Sequence, residues 1–253
     1  MSKKSRSLAV LIFALTLALS IGCGHSEGEH EKHWGYADET GPAHWGEMKP
    51  EFAACKTGTA QSPVDLTNAP ASDLQALEFR YAPTPVEIAN NGHTIQVNVK
   101  PGSFLVVGDQ KYELVQFHFH SPSEHTIGGK SFEMAAHLVH KNAEGKLAVV
   151  GVLMSAGAEN AFLAPIWERL PKAGETINEG EHAFDLSTFL PAHHARFEYM
   201  GSLTTPPCTE GVRWLVLKEP VQVSPEQLEA FRLMYNGNAR PTQPLHERQV
   251  AAS

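Results

Sequence analysis

The stretch Val115-Gln116-Phe117-His118-Phe119-His120 holds the residue types best suited to chemistry. In an extended strand alternate side chains share a face, so His118 and His120 project together on one side while Phe117 and Phe119 enter a core on the other. The two histidines sit about 6.6 Å apart along the strand, close enough for both imidazoles to reach one metal ion. A third ligand must come from a neighbouring strand, and Glu133-Met134-Ala135-Ala136-His137-Leu138-Val139-His140 offers His137 or His140. Those two have opposite parity, so only one of them can face the metal. Three neutral imidazoles leave one zinc position open for water, the arrangement of a catalytic rather than a structural site. On this motif alone, a polar outer face or a hydrogen-bonded histidine pair in the core stays open as the competing reading.

Such a site must be held by β-strands. From Trp34 onward short β-type runs are cut by Gly, Pro and Asn, and strands are expected at 86–89, 94–99, 104–107, 113–120, 133–140, 148–154 and 212–217. The loop 121–131 joins the two histidine-bearing runs and lets them pair. Asn91-Gly92 and Val107-Gly108-Asp109 read as turns. Short helices are expected at 161–170 and 225–235, the second capped by Ser224 with Pro225 at its first position. There is no internal repeat and no second linker, so residues 33–250 read as one domain.

The chain has 253 residues, with 20 Lys+Arg against 28 Asp+Glu, a formal charge of −8 and 42% hydrophobic residues. That length buries a full core without a disulfide framework, which excludes a disulfide miniprotein. An acidic balance with no basic cluster beyond the first few residues speaks against nucleic acid as a partner. At the start, Lys3, Lys4 and Arg6 precede an apolar run over 8–19 and then Ser20-Ile21-Gly22-Cys23. Residues 1–22 read as a bacterial export signal, whose apolar run over 8–19 is too short for a bilayer span of about 20 apolar residues. Cleavage after Ala18-Leu19-Ser20 and lipoprotein processing before Cys23 both fit. Residues 23–32 are polar and acidic and read as a solvated linker rather than a metal site. Of the three cysteines, Cys55 and Cys208 lie beside turn residues and are the better pair in an oxidising compartment, which leaves Cys23 for a lipid anchor.

Taken together, His33-Trp34-Gly35-Tyr36, Gly41-Pro42-Ala43-His44-Trp45, Gln61-Ser62-Pro63-Val64-Asp65, Asn90-Asn91-Gly92-His93, Gln116 to His120, Ser123-Glu124-His125, His137-Leu138-Val139-His140, Gly201 to Pro207 and Arg240 to Leu245 follow one order. In them the chain closely resembles the α-class carbonic anhydrases, in particular their exported bacterial members. The resemblance implies a β-dominated α+β fold, a single domain with a central twisted, mostly antiparallel sheet of about ten strands and short peripheral helices. It implies one zinc per chain on His118, His120 and His137, with His140 structural, and reversible hydration of CO2 to bicarbonate by zinc-bound hydroxide.

The same resemblance implies roles for further residues. Thr204 would accept the hydroxide's hydrogen bond and pass its own proton to Glu124; His93 would be the proton shuttle. Tyr36, Asn91 and Gln96 would order the connecting waters, and Gln116 would support a zinc ligand. Val139, Val149, Leu203 and Trp214 would form the apolar wall for CO2, with Thr205 beside it. Cys55 and Cys208 match the bacterial disulfide. CO2 and bicarbonate, sulfonamide and anion inhibitors, and a second copy in a homodimer are the implied partners. One departure stands out: Ala135 replaces the Glu that the family places two residues before its third zinc histidine. Either water or Glu133 substitutes, or His137 binds zinc less firmly.

Two other readings compete. The spacing His118-x-His120-x3-Glu124 fits a cupin metal motif, but Tyr112 stands where a glycine is usual and no second cupin motif follows. A catalytically silent module that binds zinc or a partner at the cell surface has Ala135 as its support and the three intact histidines against it.

Overall fold

Apolar and polar residues alternate toward the end of 110–120, and there the chain forms its longest strand. The computed structural model describes residues 33–253; the leader, the linker and Cys23 lie outside the described residues. In chain order the strands are β1 (Leu77–Arg80), β2 (Thr84–Asn90), β3 (Ile95–Val99), β4 (Phe104–Val107), β5 (Gln110–His120), β6 (Thr126–Ile127) and β7 (Lys130–Ser131). They continue as β8 (Met134–Lys141), β9 (Leu147–Ala156), β10 (Thr176–Phe184), β11 (Arg196–Ser202), β12 (Glu210–Leu217), β13 (Val221–Val223) and β14 (Ala251–Ala252). The helices are short: α1 (Trp45–Met48), α2 (Ala54–Thr57), α3 (Ala164–Trp167) and α4 (Pro225–Arg232).

Twelve strands make one sheet whose main path runs β10-β2-β3-β5-β8-β9-β12-β11-β14. Its pairs are antiparallel except β9 with β12 and with β13, which are parallel. This is the mostly antiparallel sheet of about ten strands that was expected, with short edge strands bringing it to twelve, and β14 lies just beyond residue 250. All seven expected strands form. β1, β6, β7, β10, β11, β13 and β14 lie outside those expectations: β10 carries Glu and Asn and pairs irregularly at one sheet edge, and β1, β6, β7, β13 and β14 are at most four residues long.

Side-chain alternation divides the interior into two cores on opposite faces of the sheet. Phe117 and Phe119 join Ala136, Leu138, Val150 and Leu215 on one face. Ala135, Val149, Val212 and Trp214 pack together on the other, the side to which His118, His120 and His137 belong by parity. Of the expected helix over 161–170 only Ala164–Trp167 is α-helical, its start held by Asn160 through both side-chain and backbone acceptors and Pro171 lying beyond its end. The second helix starts as expected at Pro225 but ends at Arg232, short of 235; at its start Ser224 Oγ accepts from Gln227 N, and Gln227 Oε1 accepts from Ser224 N.

Parity also decides the fate of His140. It points away from His137 into the Phe117 face, where it is fully buried and its Nε2 meets the Tyr81 hydroxyl at 2.7 Å. Burial pushes the His140 imidazole down to about 4. Below the ordinary histidine value of about 6.5, the unfolded chain binds a proton that the folded chain refuses. The stabilisation from keeping His140 neutral is therefore complete above pH 6.5 and is lost as pH falls toward 4, at about 1.4 kcal/mol per pH unit. Urea unfolding at pH 7, 6 and 5 should show this acid limb, and His140→Phe should flatten it by about one proton even if its absolute stability is lower. An unchanged slope would mean that His140 does not contribute to it.

Candidate metal centre

The pairing of β5 with β8 brings the three histidines together. His118 is the direct cross-strand partner of His137, and His120 lies opposite Ala135. The register passes through a bulge at Val115, where Leu114 and Gln116 face the consecutive residues His140 and Val139; the extra residue, Val115, is exposed. Ring centroids lie 5.1 Å apart for His118 and His120, 5.5 Å for His118 and His137, and 4.6 Å for His120 and His137. One nitrogen from each of the three lies within 4.8 Å of the others.

Hydrogen bonds to the outer nitrogens determine which nitrogen faces inward. His118 Nδ1 donates to the Gln116 amide oxygen at 2.9 Å, and His120 Nδ1 donates to the Asn238 carbonyl at 2.7 Å. An amide oxygen only accepts, so Nε2 of each ring carries the lone pair. His137 is turned the other way: its Nδ1 and the Nε2 of His120 each lie 3.6 Å from Glu124 Oε2. Burial pushes the His118 and His137 imidazoles well below their usual range, and the neighbouring imidazoles add to it. Neutral rings with convergent lone pairs are what a metal ion requires, and the buried His120 Nε2 has no hydrogen-bond partner among the described residues. The donor set fits zinc.

The outer nitrogen of His137 has no such support. Among the described residues its buried Nε2 has no hydrogen-bond partner, and Ala135 supplies only a methyl group. Glu133 does not substitute for the missing carboxylate. It precedes β8, is exposed and forms an ion pair with Arg232 Nη2, while its carbonyl accepts from Ser121 Oγ.

Glu124 is buried beneath the histidines, and its Oε1 accepts the Arg240 backbone N–H at 2.9 Å. Burial raises its pKa; His120, the Thr204 hydroxyl and Arg240 oppose that rise. The Arg240 guanidinium, also buried, donates to Gln61 Oε1, Ser62 O and Cys55 O. Cys55 is disulfide-bonded to Cys208, and the Cys208 carbonyl accepts from Gln61 Nε2. The loop that carries Thr204 and Thr205 is thereby tied down, with further bonds from Leu203 N to Thr209 O and from Cys208 N to Thr205 O.

The apolar residues also assemble. Val149 and Trp214 are paired across β9 and β12, and Val139 and Leu203 pack against the same cluster. Gly201 permits this, because a Cβ there would collide with the Ser62 hydroxyl and the Tyr199 and Trp214 rings. Thr205 is half-buried next to Thr204.

On the other flank, Gly92 takes a positive φ of 84° in the turn that presents His93. Asn91 Oδ1 accepts from His93 N and Thr94 N, and its amide donates to Gln96 Oε1 at 3.5 Å. Gln96 is the cross-strand partner of His118. The Tyr36 phenol is held above its usual range, first by burial and then by the charge of Glu124. Sequence reading missed Asn238, whose side chain also fixes Ser121 N, Phe119 O and His93 O, because nothing local links it to residues more than a hundred positions away. It also gave no role to Trp34 or Arg240, although both stand inside the motifs it singled out.

A family model described as eukaryotic-type carbonic anhydrase matches residues 40–253. A carbonic anhydrase of Nostoc sp. is 47% identical over 224 residues, covering 86% of this chain and 85% of its own length. Among solved structures, a hyperthermostable carbonic anhydrase from an active hydrothermal vent chimney superposes with a TM-score of 0.85 at 47% identity, covering 87% of this chain and 99% of its own. The α-carbonic anhydrase of Thermovibrio ammonificans, solved with the inhibitor sulfanilamide, gives a TM-score of 0.84 at 43% identity, with coverages of 87% and 98%.

The unpartnered His137 Nε2 predicts the rate of metal loss. A carboxylate in that outer position typically changes metal affinity about 10- to 100-fold. Ala135→Glu should therefore slow transfer of zinc to a strong chelator by a factor in that range, and Glu133→Gln, which alters only the Arg232 pair, should leave it unchanged. Faster loss from Glu133→Gln with no gain from Ala135→Glu would overturn this account of the site.

Proposed function

The chain belongs to the eukaryotic-type, or α-class, carbonic anhydrases, and within that family's reversible hydration of CO2 to bicarbonate we propose how its own residues carry the reaction. The enzyme uses one zinc, for which His118, His120 and His137 supply the ligands. When bound, zinc acts as the Lewis acid that makes a water molecule reactive near neutral pH, with a pKa of about 7 that is general to carbonic anhydrases.

Glu124, anchored by the Arg240 backbone, accepts the Thr204 proton and leaves the Thr204 oxygen lone pair to orient the attacking water. Only a group that can donate to Thr204 is then accommodated, which supports inhibition by sulfonamides through their N–H. Val139, Val149, Leu203 and Trp214, with Thr205 at their edge, form an apolar wall suited to CO2, which has no charge and no net dipole. His93 carries the proton away, with Tyr36, Asn91 and Gln96 ordering the path, and Gln116 holds His118 in its metal-binding tautomer. The observation that carries this reading is the convergence of three imidazoles, two with outer nitrogens held by hydrogen bonds, above a buried carboxylate. A silent module is not favoured, because the whole donor set is intact.

Residues 33–250 are proposed as the catalytic domain, supported by the family match. We also propose export, to the periplasm or to a membrane anchored through a lipid on Cys23, supported by the leader and by a disulfide of the kind that persists in oxidising compartments. Among the described residues no helix is long and apolar enough to cross a membrane. The homodimer implied by the resemblance belongs to the same proposal.

CO2 hydration, measured with metal content per chain, should be present in the zinc-loaded protein, abolished by a strong chelator and inhibited by sulfanilamide. One zinc per chain with no hydration above buffer would point to the silent module instead. His93→Ala should slow turnover in dilute buffer far more than the interconversion step followed by isotope exchange, and added imidazole should restore part of it. Intact mass of membrane-extracted protein should show a chain starting at Cys23 with acyl mass; an unacylated chain starting at Ile21 would end the lipid-anchor proposal.

A further inference from the structure

We propose that Asp65 is a positioning residue for the reaction: it clamps the β6–β7 ribbon that follows Glu124 and so holds that carboxylate where it accepts the Thr204 proton. The proposal rests on the reading of Glu124 as the acceptor of that proton. Glu124 stands two residues before β6, and β6 and β7 form a two-stranded sheet of their own, outside the twelve-stranded one. A two-stranded ribbon alone is marginally stable in water, so its position must be set from outside. Ile127 and Phe132 rest against the apolar cluster around Trp214, but apolar packing is non-directional. The directional contacts come from Asp65-Leu66-Thr67. Asp65 Oδ2 accepts from Thr126 Oγ1 and from Gly129 N, each at 2.6 Å, and its Oδ1 accepts from Thr67 N at 2.8 Å. Leu66 N donates to Thr126 O at 2.8 Å, and Thr67 Oγ1 accepts from Gly128 N.

The turn is built for this attachment. Gly128 and Gly129 both take positive φ, 62° and 71°, in the two-residue connection of the ribbon, and their N–H groups go to Thr67 and Asp65. Partial burial would raise the Asp65 carboxyl, but the bonds from Thr126, Thr67 and Gly129 outweigh it and hold it down to about 2, so the clamp stays charged at neutral pH. The other end of the same segment serves the Glu124 carboxylate: Gln61 Oε1 and Ser62 O accept from the Arg240 guanidinium, and Arg240 N donates to Glu124 Oε1. Residues 61–67 therefore fix Glu124 twice, at its carboxylate through Arg240 and at its backbone through Asp65, while buried Val64 and Leu66 hold the segment itself. His118, His120 and His137 are held by β5 and β8 of the main sheet. Hydrogen bonds weaken steeply with misalignment, so loosening the ribbon degrades the Glu124–Thr204 contact and spares the metal ligands.

The test compares Asp65→Asn, Thr126→Val, Glu124→Gln and the double variant Asp65→Asn with Glu124→Gln. Sulfanilamide has an N–H to donate to Thr204, whereas thiocyanate has no hydrogen, so the ratio of their affinities for the zinc-loaded protein reads the Glu124–Thr204 contact separately from the metal. Asp65→Asn should lower that ratio by about tenfold, the scale of one hydrogen bond to a charged group, and Thr126→Val, which removes one bond of the clamp, should lower it less. Zinc content per chain should stay at the parent value. In the zinc-free protein, amide hydrogen exchange over 124–129 should speed up severalfold in Asp65→Asn, while exchange in β5 and β8 keeps the parent rate. Glu124→Gln should lower the ratio as well, and Asp65→Asn added to it should lower it no further. A parent ratio in both Asp65→Asn and Thr126→Val, unchanged exchange over 124–129, or a further drop in the double variant would each overturn the proposal. If Glu124→Gln itself keeps the parent ratio, the reading of Glu124 falls and the role of Asp65 with it.

Discussion

The cross-strand pairing of His118 with His137 is the constraint on which the rest of the site depends. Because side chains alternate along a strand, a slip of one residue between β5 and β8 would send His137 into the Phe117 core and bring a neighbouring residue of β8 to the metal face. The apolar residues prevent that slip. Phe117 and Phe119 face Leu138 and Ala136 in the same register that sets His118 against His137, and those apolar side chains are buried in one core. Hydrophobic burial on one face of the sheet thus fixes the positions of the metal ligands on the other. The exposed bulge residue Val115 lies before this paired segment, so the irregularity does not disturb it.

A second constraint is electrostatic. Glu124 and Arg240 are both buried, and each would be costly to leave without partners. They are accommodated together: the Arg240 backbone donates to Glu124, while the Arg240 guanidinium spreads its hydrogen bonds over Gln61, Ser62 and Cys55. Those same groups meet the Thr204 loop through Cys208 and through Ser202, whose hydroxyl accepts from Ser62 N. The carboxylate, the disulfide and the loop therefore form one bonded unit.

The support around the three ligands is uneven in an informative way. Gln116 and the Asn238 carbonyl set the tautomers of His118 and His120, so these two rings present Nε2 inward before any metal arrives. His137 presents Nδ1 toward Glu124, and on its outer side the ring is oriented by packing against Trp214 and His125. Packing restrains a ring without raising its basicity, whereas a hydrogen-bond acceptor does both. The chain thus keeps the geometry of its family's metal set with one electronic support removed.

The sequence by itself determined the strand that carries His118 and His120, the opposite parities of His137 and His140, the capped start of α4 and the departure at Ala135, because each is a matter of local spacing or residue type. The motifs, read in order, carried the family and with it the ligand set and the Cys55–Cys208 bond. Other features were decided only when distant segments met. Asn238 approaches His120 from 118 residues away, Arg240 links Glu124 to Cys55, and Glu133 turns to Arg232 rather than to His137. Trp34 comes to stack on the His93 ring from 59 residues away in the chain. Periodicity shows which face a side chain takes, but a partner for a buried nitrogen or carboxylate is selected by three-dimensional proximity, which a one-dimensional pattern does not contain.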